Sequence, residues 1–376
     1  LVDGTGNSNE FIAEKIRSGV AIIQKQKKLV VCCEYGMSRS NAIAVGIISN
    51  IEKITFNESL KLVVKSTLED QIKLSVLKSV SKIVGNQNIV LDGKSGKALI
   101  IDYDDYIGKT LADLNPGEFF LLNKNAGAGE ILSNPALLYL FVLENNVNKI
   151  IFISCEGVIN TNQFIGNLLV VIKNILDVTI AADCGLFFTS TTDVFLGYKK
   201  KTLTIKPTTP KNPSGNRGIA YSFAEDLINY YQKNHKLNAA ILRVPVVYGE
   251  HPSKPYFIAN FIKKAQSNTA IKIHKYVNNL AWVNLIHVKD LARFIFEVIK
   301  KVESGIYNID GGETLSTFEI SKNILEIYSS KSKISSTRLE NAIVKMNVDR
   351  SHLQGKFEWQ PQENFYKTIK NQRNEK

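Results

Sequence analysis

Apolar and polar positions follow two different rhythms along this 376-residue chain. Up to about residue 83, apolar residues recur at helical spacing. Phe11, Ile12, Ile16, Val20, Ile22 and Ile23 line one face of a helix expected over 9–28, and further helices are expected over 39–50, 57–67 and 69–83. One short apolar run, Leu29 to Cys32, reads instead as a buried strand feeding a loop from Cys33 to Ser38. The polar, glycine-containing stretch Asn86 to Gly96 reads as a linker.

From Ala98 the pattern changes. Strands are expected at 98–102, 118–122, 149–154, 185–190 and 238–243, with helices at 107–114, 134–146, 160–176 and 218–235. Strands that alternate with helices predict an α/β fold with a doubly wound parallel sheet covered on both faces. From Phe257 on, shorter elements predict a small cap. The expected organisation is a first unit over 1–86, a linker over 87–97 and a Rossmann-type unit over 98–372.

Composition narrows the functional classes. The formal charge of +12 comes mostly from lysines spread along the chain. No basic block is interleaved with aromatics, so no nucleic-acid partner is expected. The most apolar stretches, Ala136 to Leu143 and Leu168 to Leu176, fall short of the roughly 18–20 residues of a membrane helix, so no membrane partner is expected. The start, Leu1-Val2-Asp3-Gly4, is no signal peptide, and Leu1 in place of Met reads as a fragment or a processed product. The cysteines are Cys32, Cys33, Cys155 and Cys184, without a CxxC pair. That pattern predicts no metal site and a reducing, cytoplasmic setting.

Cys33-Glu34-Tyr35-Gly36-Met37-Ser38-Arg39-Ser40 is a Cys-x5-Arg-Ser loop between the expected strand and a helix. A loop that wraps onto a helix N-terminus gathers backbone N–H groups at one point, which holds anions and lowers a thiol pKa. Arg39 can fork onto two oxygens of a phosphate, Gly36 allows the tight path, and Ser40 can hydrogen-bond the sulfur. With these residues the segment resembles the dual-specificity branch of the protein tyrosine phosphatases. That resemblance implies a phosphocysteine on Cys33, phosphate binding by Arg39 over the loop residues Glu34 to Ser38, and Asp3 as general acid. Cys32 replaces the family's histidine, and the strands that usually precede the acid are not in this chain.

The second part resembles the extended short-chain dehydrogenase/reductases, the nucleotide-sugar epimerases and dehydratases. Leu242-Arg243 with Tyr248-Gly249, Leu285-Ile286-His287-Val288 with Asp290 and Ala292, Gly305-x-Tyr307-Asn308 with Gly311-Gly312, and Trp359-x-Pro361 carry it. The chemistry of that family transfers poorly. Its glycine-rich first turn aligns with Asp102-Tyr103-Asp104-Asp105-Tyr106-Ile107-Gly108, where only the last glycine remains and three acids face the pyrophosphate position. Asn123 stands where an acid grips the ribose. In the Tyr-x3-Lys pattern, one register places Arg217 and Tyr221 and the other Tyr221 and Glu225; either loses the base. Thr191 or Thr192 keeps the hydroxyl partner, and Val283 takes the place of a substrate-contacting arginine.

These readings predict a cysteine-dependent phosphatase acting on a phosphoprotein or a small phosphate ester, joined to a degenerate epimerase-like unit with no cofactor expected. Against that stands an NAD(P)-dependent epimerase/dehydratase-family protein that retains ligand binding, with a nucleotide sugar as ligand, or a binding module without activity. A homodimer would pair through helices 160–176 and 218–235.

Overall fold

The computed structural model describes residues 1, 6–34, 38–69, 72–85, 96–154, 161–250, 257–301 and 304–374. The chain opens with four helices, α1 (Asn9–Gln24), α2 (Arg39–Glu52), α3 (Phe56–Thr67) and α4 (Leu74–Val84). Ser8 caps α1 through the Phe11 N–H, and Thr55 with Glu58 forms a reciprocal capping box on α3. A Cβ on Gly46 would stand 2.5 Å from Cδ1 of Ile16, so the glycine lets α1 and α2 approach closely. The expected strand over Leu29 to Cys32 does not form. The run pairs with no strand among the described residues, and Val30 is 84% exposed. The expected linker falls almost entirely outside the described residues.

The sheet unit follows the alternation read from the sequence. In order come β1 (Lys97–Asp102), α5 (Ile107–Leu114), β2 (Phe119–Leu122), α6 (Ala128–Ser133), α7 (Pro135–Glu144), β3 (Val147–Ser154), α8 (Asn162–Ala182), β4 (Gly185–Thr191), β5 (Thr202–Ile205), α9 (Gly215–His235) and β6 (Ala239–Val244). The C-terminal part adds β7 (Val246–Tyr248), α10 (Phe257–Gln266), β8 (Ile271–Tyr276), β9 (Trp282–His287), α11 (Val288–Lys301), β10 (Gly305–Asn308), β11 (Glu313–Ser316), α12 (Thr317–Ile327), β12 (Ile334–Leu339), β13 (Lys345–Val348) and α13 (Phe365–Asn374).

Six parallel strands form the central sheet in the order β10-β6-β4-β3-β1-β2. The inner strands β1, β3, β4 and β6 are largely buried on both faces, so their centres read as continuous apolar runs rather than alternating ones. Leu99, Ile101, Phe152, Phe188 and Ile241 face one core, which continues without a break into Ile12, Leu60 and Leu77 of the first helices. Ile100, Ile151, Phe187 and Leu242 face a second core, closed by Leu291, Phe294 and Ile295 of α11. Small sheets (β11-β9-β7, β12-β8 and β13-β5) build the cap.

Among the described residues, α8 is long and apolar enough to cross a membrane by length and composition, which corrects the expectation that no run reaches that length. In this fold half of that stretch is buried, with α7 and α9 packed against the helix.

Candidate functional site

The chain leaves β1 towards β2 on one side and returns to β3 on the other, so the sheet reverses its winding between β1 and β3. The carboxyl ends of two such strands frame a crevice, the place where open parallel sheets receive ligands. Asp102 ends β1 there and is 1% exposed. Its Oδ2 accepts the N–H groups of Gly108 at 2.7 Å and Tyr106 at 3.2 Å, and its Oδ1 accepts the Ser154 hydroxyl at 2.6 Å. Burial pushes this carboxyl above the usual carboxylate range, while the Ser154 and Gly108 hydrogen bonds pull it back. Asp105 takes a left-handed conformation, φ 56°, which aspartate tolerates better than most residues. Gly108 keeps its packing role, because a Cβ there would lie 2.7 Å from both Asp102 Cβ and Ile100 Cγ2. The three acids therefore do not simply line an open turn; the first has folded inward onto the helix N-terminus. Asn123, after β2, spends its side-chain oxygen on the Ala126 N–H at 3.0 Å.

A second group gathers where β4 meets α9. Thr191 is buried and its hydroxyl accepts the Asp193 N–H at 3.2 Å; Thr192 is buried beside it. Arg217 lies 3.4 Å from the Asp193 carboxylate and over the Tyr221 ring, and that ring stacks on Phe188. The structure sets Thr191, Arg217 and Tyr221 at the β4–α9 junction around Asp193, which the sequence reading missed. Glu225 is fully buried in a different role. It accepts Ser190 Oγ at 2.5 Å, and Arg243 Nη2 at 2.8 Å and Nε at 3.1 Å, with Lys211 Nζ 3.7 Å away. The register that puts Glu225 at a catalytic lysine position therefore gives that carboxylate a structural duty. An arginine inside the apolar strand Ala239–Val244 was the available signal that a buried acid must face it.

The remaining motif residues close the cap. Asp290 is fully buried and accepts the N–H groups of Gln362 and Glu363, each at 2.9 Å, while its carbonyl accepts Trp359 Nε1 at 3.0 Å. Asn308 donates its N–H to His352 Nε2 at 3.2 Å. Val283 sits on β9 against the core of the cap. His287 accepts the Lys289 N–H on Nδ1, so the neutral ring carries its proton on Nε2, which lies 3.4 Å from the Glu250 carboxylate. Gly249 permits this approach, since a Cβ there would meet His287 Nε2 at 3.1 Å and the Tyr106 hydroxyl at 3.0 Å.

Burial pulls His287 below the usual imidazole value of 6.5; Glu250, Glu363 and Asp290 oppose that shift and Lys289 adds to it. A depressed histidine contributes stability that is present above the unfolded value and lost as pH falls below it. Denaturation of the wild type and His287→Gln between pH 7 and 5 should therefore show a flatter pH dependence in the variant. The difference should be at most about 1.4 kcal/mol per pH unit. His352, also depressed by burial, contributes to both proteins alike. Parallel curves would refute the assignment.

At the Cys33 loop the structure departs from the phosphatase expectation. Arg39 is 6% exposed and commits its guanidinium to the Leu1 carbonyl at 2.6 Å and the Glu34 carboxylate at 3.4 Å. Cys33 Sγ lies 3.5 Å from Ser40 Oγ, and Ser38 precedes α2 without capping it through its side chain. Asp3, Tyr35, Gly36 and Met37 lie outside the described residues, as does Cys155. A cleft of about 490 Å³ lined by Asn148, Lys149, Asp183, Cys184, His235 and Lys236 opens at the amino edge of the strands, opposite the crevice, and holds none of the sequence-predicted residues.

The fold is a Rossmann-type α/β sheet with a cap, and parts of the chain are similar to known proteins. Residues 155–310 match the model of the NAD dependent epimerase/dehydratase family. A dTDP-D-glucose 4,6-dehydratase of Dictyostelium discoideum is 27% identical over 117 residues, 31% of this chain and only 26% of that protein. The dTDP-glucose 4,6-dehydratase of Bacillus anthracis, solved in complex with NAD, superposes with a TM-score of 0.64 at 17% identity, over 74% of this chain and 95% of that one. The UDP-glucose 4-epimerase of Thermotoga maritima, solved with UDP-glucose, gives 0.63 at 15% identity, over 74% and 99%.

Two expectations are corrected by these findings. The phosphatase reading is overturned: the family match lies in the sheet unit and points to nucleotide-sugar enzymes, and among the described residues the loop that suggested a phosphatase has no sheet strand behind it and its arginine is already engaged. The expectation of no cofactor is overturned as well, because the matched family is NAD dependent by its description and the Bacillus anthracis protein carries NAD. The first turn of this chain nevertheless does not fit a dinucleotide while Asp102 holds the amides of Tyr106 and Gly108.

Proposed function

We propose that this chain is an NAD(P)-dependent nucleotide-sugar epimerase/dehydratase-family protein that retains ligand binding at the carboxyl edge of its sheet. A dTDP- or UDP-hexose and a nicotinamide dinucleotide are the ligands. The observation that carries the reading is the match over residues 155–310 within a parallel sheet whose winding reverses between β1 and β3. The crevice of that reversal lies beside the β4–α9 group of Thr191, Asp193, Arg217 and Tyr221 in strand order, with only β3 between β1 and β4. Arg217 supplies a cation suited to a diphosphate. Thr191 offers a buried hydroxyl, and the stacked Tyr221 and Phe188 rings hold the start of α9 against β4. No residue pair on α9 reproduces a tyrosine activated by lysine, so the reading rests on binding and not on proton abstraction.

Calorimetry and thermal denaturation with dTDP-glucose, UDP-glucose and NAD⁺ test it. A ligand at about a hundred times its Kd should add about 2.7 kcal/mol to the folded state, readable as a rise in Tm. No heat and no shift with any of the three would overturn the proposal.

A further inference from the structure

We infer that Asp102 is a built-in competitor for the diphosphate seat at the start of α5, so that a dinucleotide must displace this side chain to bind. The inference rests on the binding reading above and says how that same site is regulated by its own sequence. Three observations converge on it. The residue closes β1 at the reversal point of the sheet, where a ligand's phosphates would meet the first turn. Its Oδ2 takes two N–H groups of that turn, at 2.7 and 3.2 Å, the kind of donors that anion sites at helix N-termini offer. Its Oδ1 is held by the Ser154 hydroxyl from the neighbouring strand, so the carboxylate is fixed in place from both sides of the crevice.

The packing sets the geometry of the competition. Gly108 lies against Asp102 so closely that only a hydrogen fits between the helix and the side chain, which keeps α5 pressed on the carboxylate. A carboxyl oxygen and a phosphate oxygen seek the same donors, so the two cannot hold these N–H groups at once. Asp104, two residues on, adds an acidic group to the same approach. The wild type should consequently bind the dinucleotide weakly, with the interaction limited at the diphosphate and not at the bases.

NAD⁺ titrated calorimetrically into the full chain and into Asp102→Gly and Asp102→Asn tests this, with adenosine as a ligand that lacks the diphosphate. Asp102→Gly should bind NAD⁺ at least about tenfold more tightly than the wild type, and Asp102→Asn should lie between them. Adenosine affinity should stay the same in all three. Folding is checked by circular dichroism; if the glycine variant does not fold, the asparagine variant decides. Equal NAD⁺ affinity in the wild type and the folded variants overturns the inference and leaves the proposed function standing. Adenosine gaining as much as NAD⁺ also overturns it, since the gain would then owe nothing to phosphate. No NAD⁺ binding by any of the three, with a sugar nucleotide still bound by the wild type, removes the competitor and the dinucleotide while keeping the nucleotide-sugar reading.

Discussion

Glu225→Ala should cost the folded state about 3–5 kcal/mol, because it leaves Arg243 buried without its carboxylate. Arg243 is 3% exposed and sits on β6, between Ser190 of β4 and Asn308 of the edge strand β10 in register. Water cannot reach in to replace the lost partner, and Lys211 would face a vacant position as well. Urea denaturation should show a lowered midpoint with an unchanged slope. The double variant Glu225→Leu/Arg243→Met removes both charges and should recover most of the loss, since the cost lies in the orphaned ion and not in the absence of the pair. A single variant within about 0.5 kcal/mol of the wild type, the range of an ordinary surface substitution, would show that the pair is not desolvated as described.

Gly311→Ala should be comparably severe. A Cβ at that position would stand 1.8 Å from the Leu285 carbonyl oxygen and 2.6 Å from the Ile286 nitrogen, both backbone atoms that cannot rotate away. The loop after β10 is also held by the Gly311 N–H on Asn284 Oδ1 at 2.9 Å, so neither side can yield without breaking the small sheet of the cap. Loss of about 3 kcal/mol, the upper end of overpacking costs, is expected in thermal denaturation. Gly312→Ala nearby is strained by its φ of 91° but meets side-chain atoms, Pro361 carbons at 3.1 Å and Arg350 Nη2 at 3.8 Å, and should cost less. An inverted order would refute the packing argument.

Both predictions concern residues that the sequence had already singled out by motif, yet their roles were not all legible there. Arg243 was read as part of a strand motif and Glu225 as a position in the Tyr-x3-Lys alignment, but nothing along the chain pairs a strand residue with a helix residue 18 positions away. The aligned acids from Asp102 to Asp105 read as a repulsive lining of an open turn. In the fold Asp102 turns back and caps the helix that follows with its own side-chain oxygen, while Ser154, from a strand some fifty residues later, holds the other oxygen.

The Cys33 loop shows the opposite error. Its residue types and spacing matched a phosphate cradle, but such a cradle depends on a strand that aims the loop, and a strand exists only where another strand satisfies its backbone groups. Leu29 to Cys32 has the composition of a strand but finds no neighbouring strand among the described residues; Val30 is exposed to solvent and Arg39 turns to the Leu1 carbonyl.

The sequence by itself determined the alternation of strands and helices from Ala98 onward, the sheet unit and its family resemblance. Strands buried on both faces must be continuously apolar, and helices must repeat near every fourth residue, so these elements are written locally. Only the tertiary structure decided which charges meet, which carboxylate occupies the turn, and whether an apolar run becomes a strand, because each depends on a partner brought from far along the chain. Hydrogen bonds and buried ion pairs act over a few ångströms, and folding alone sets those distances.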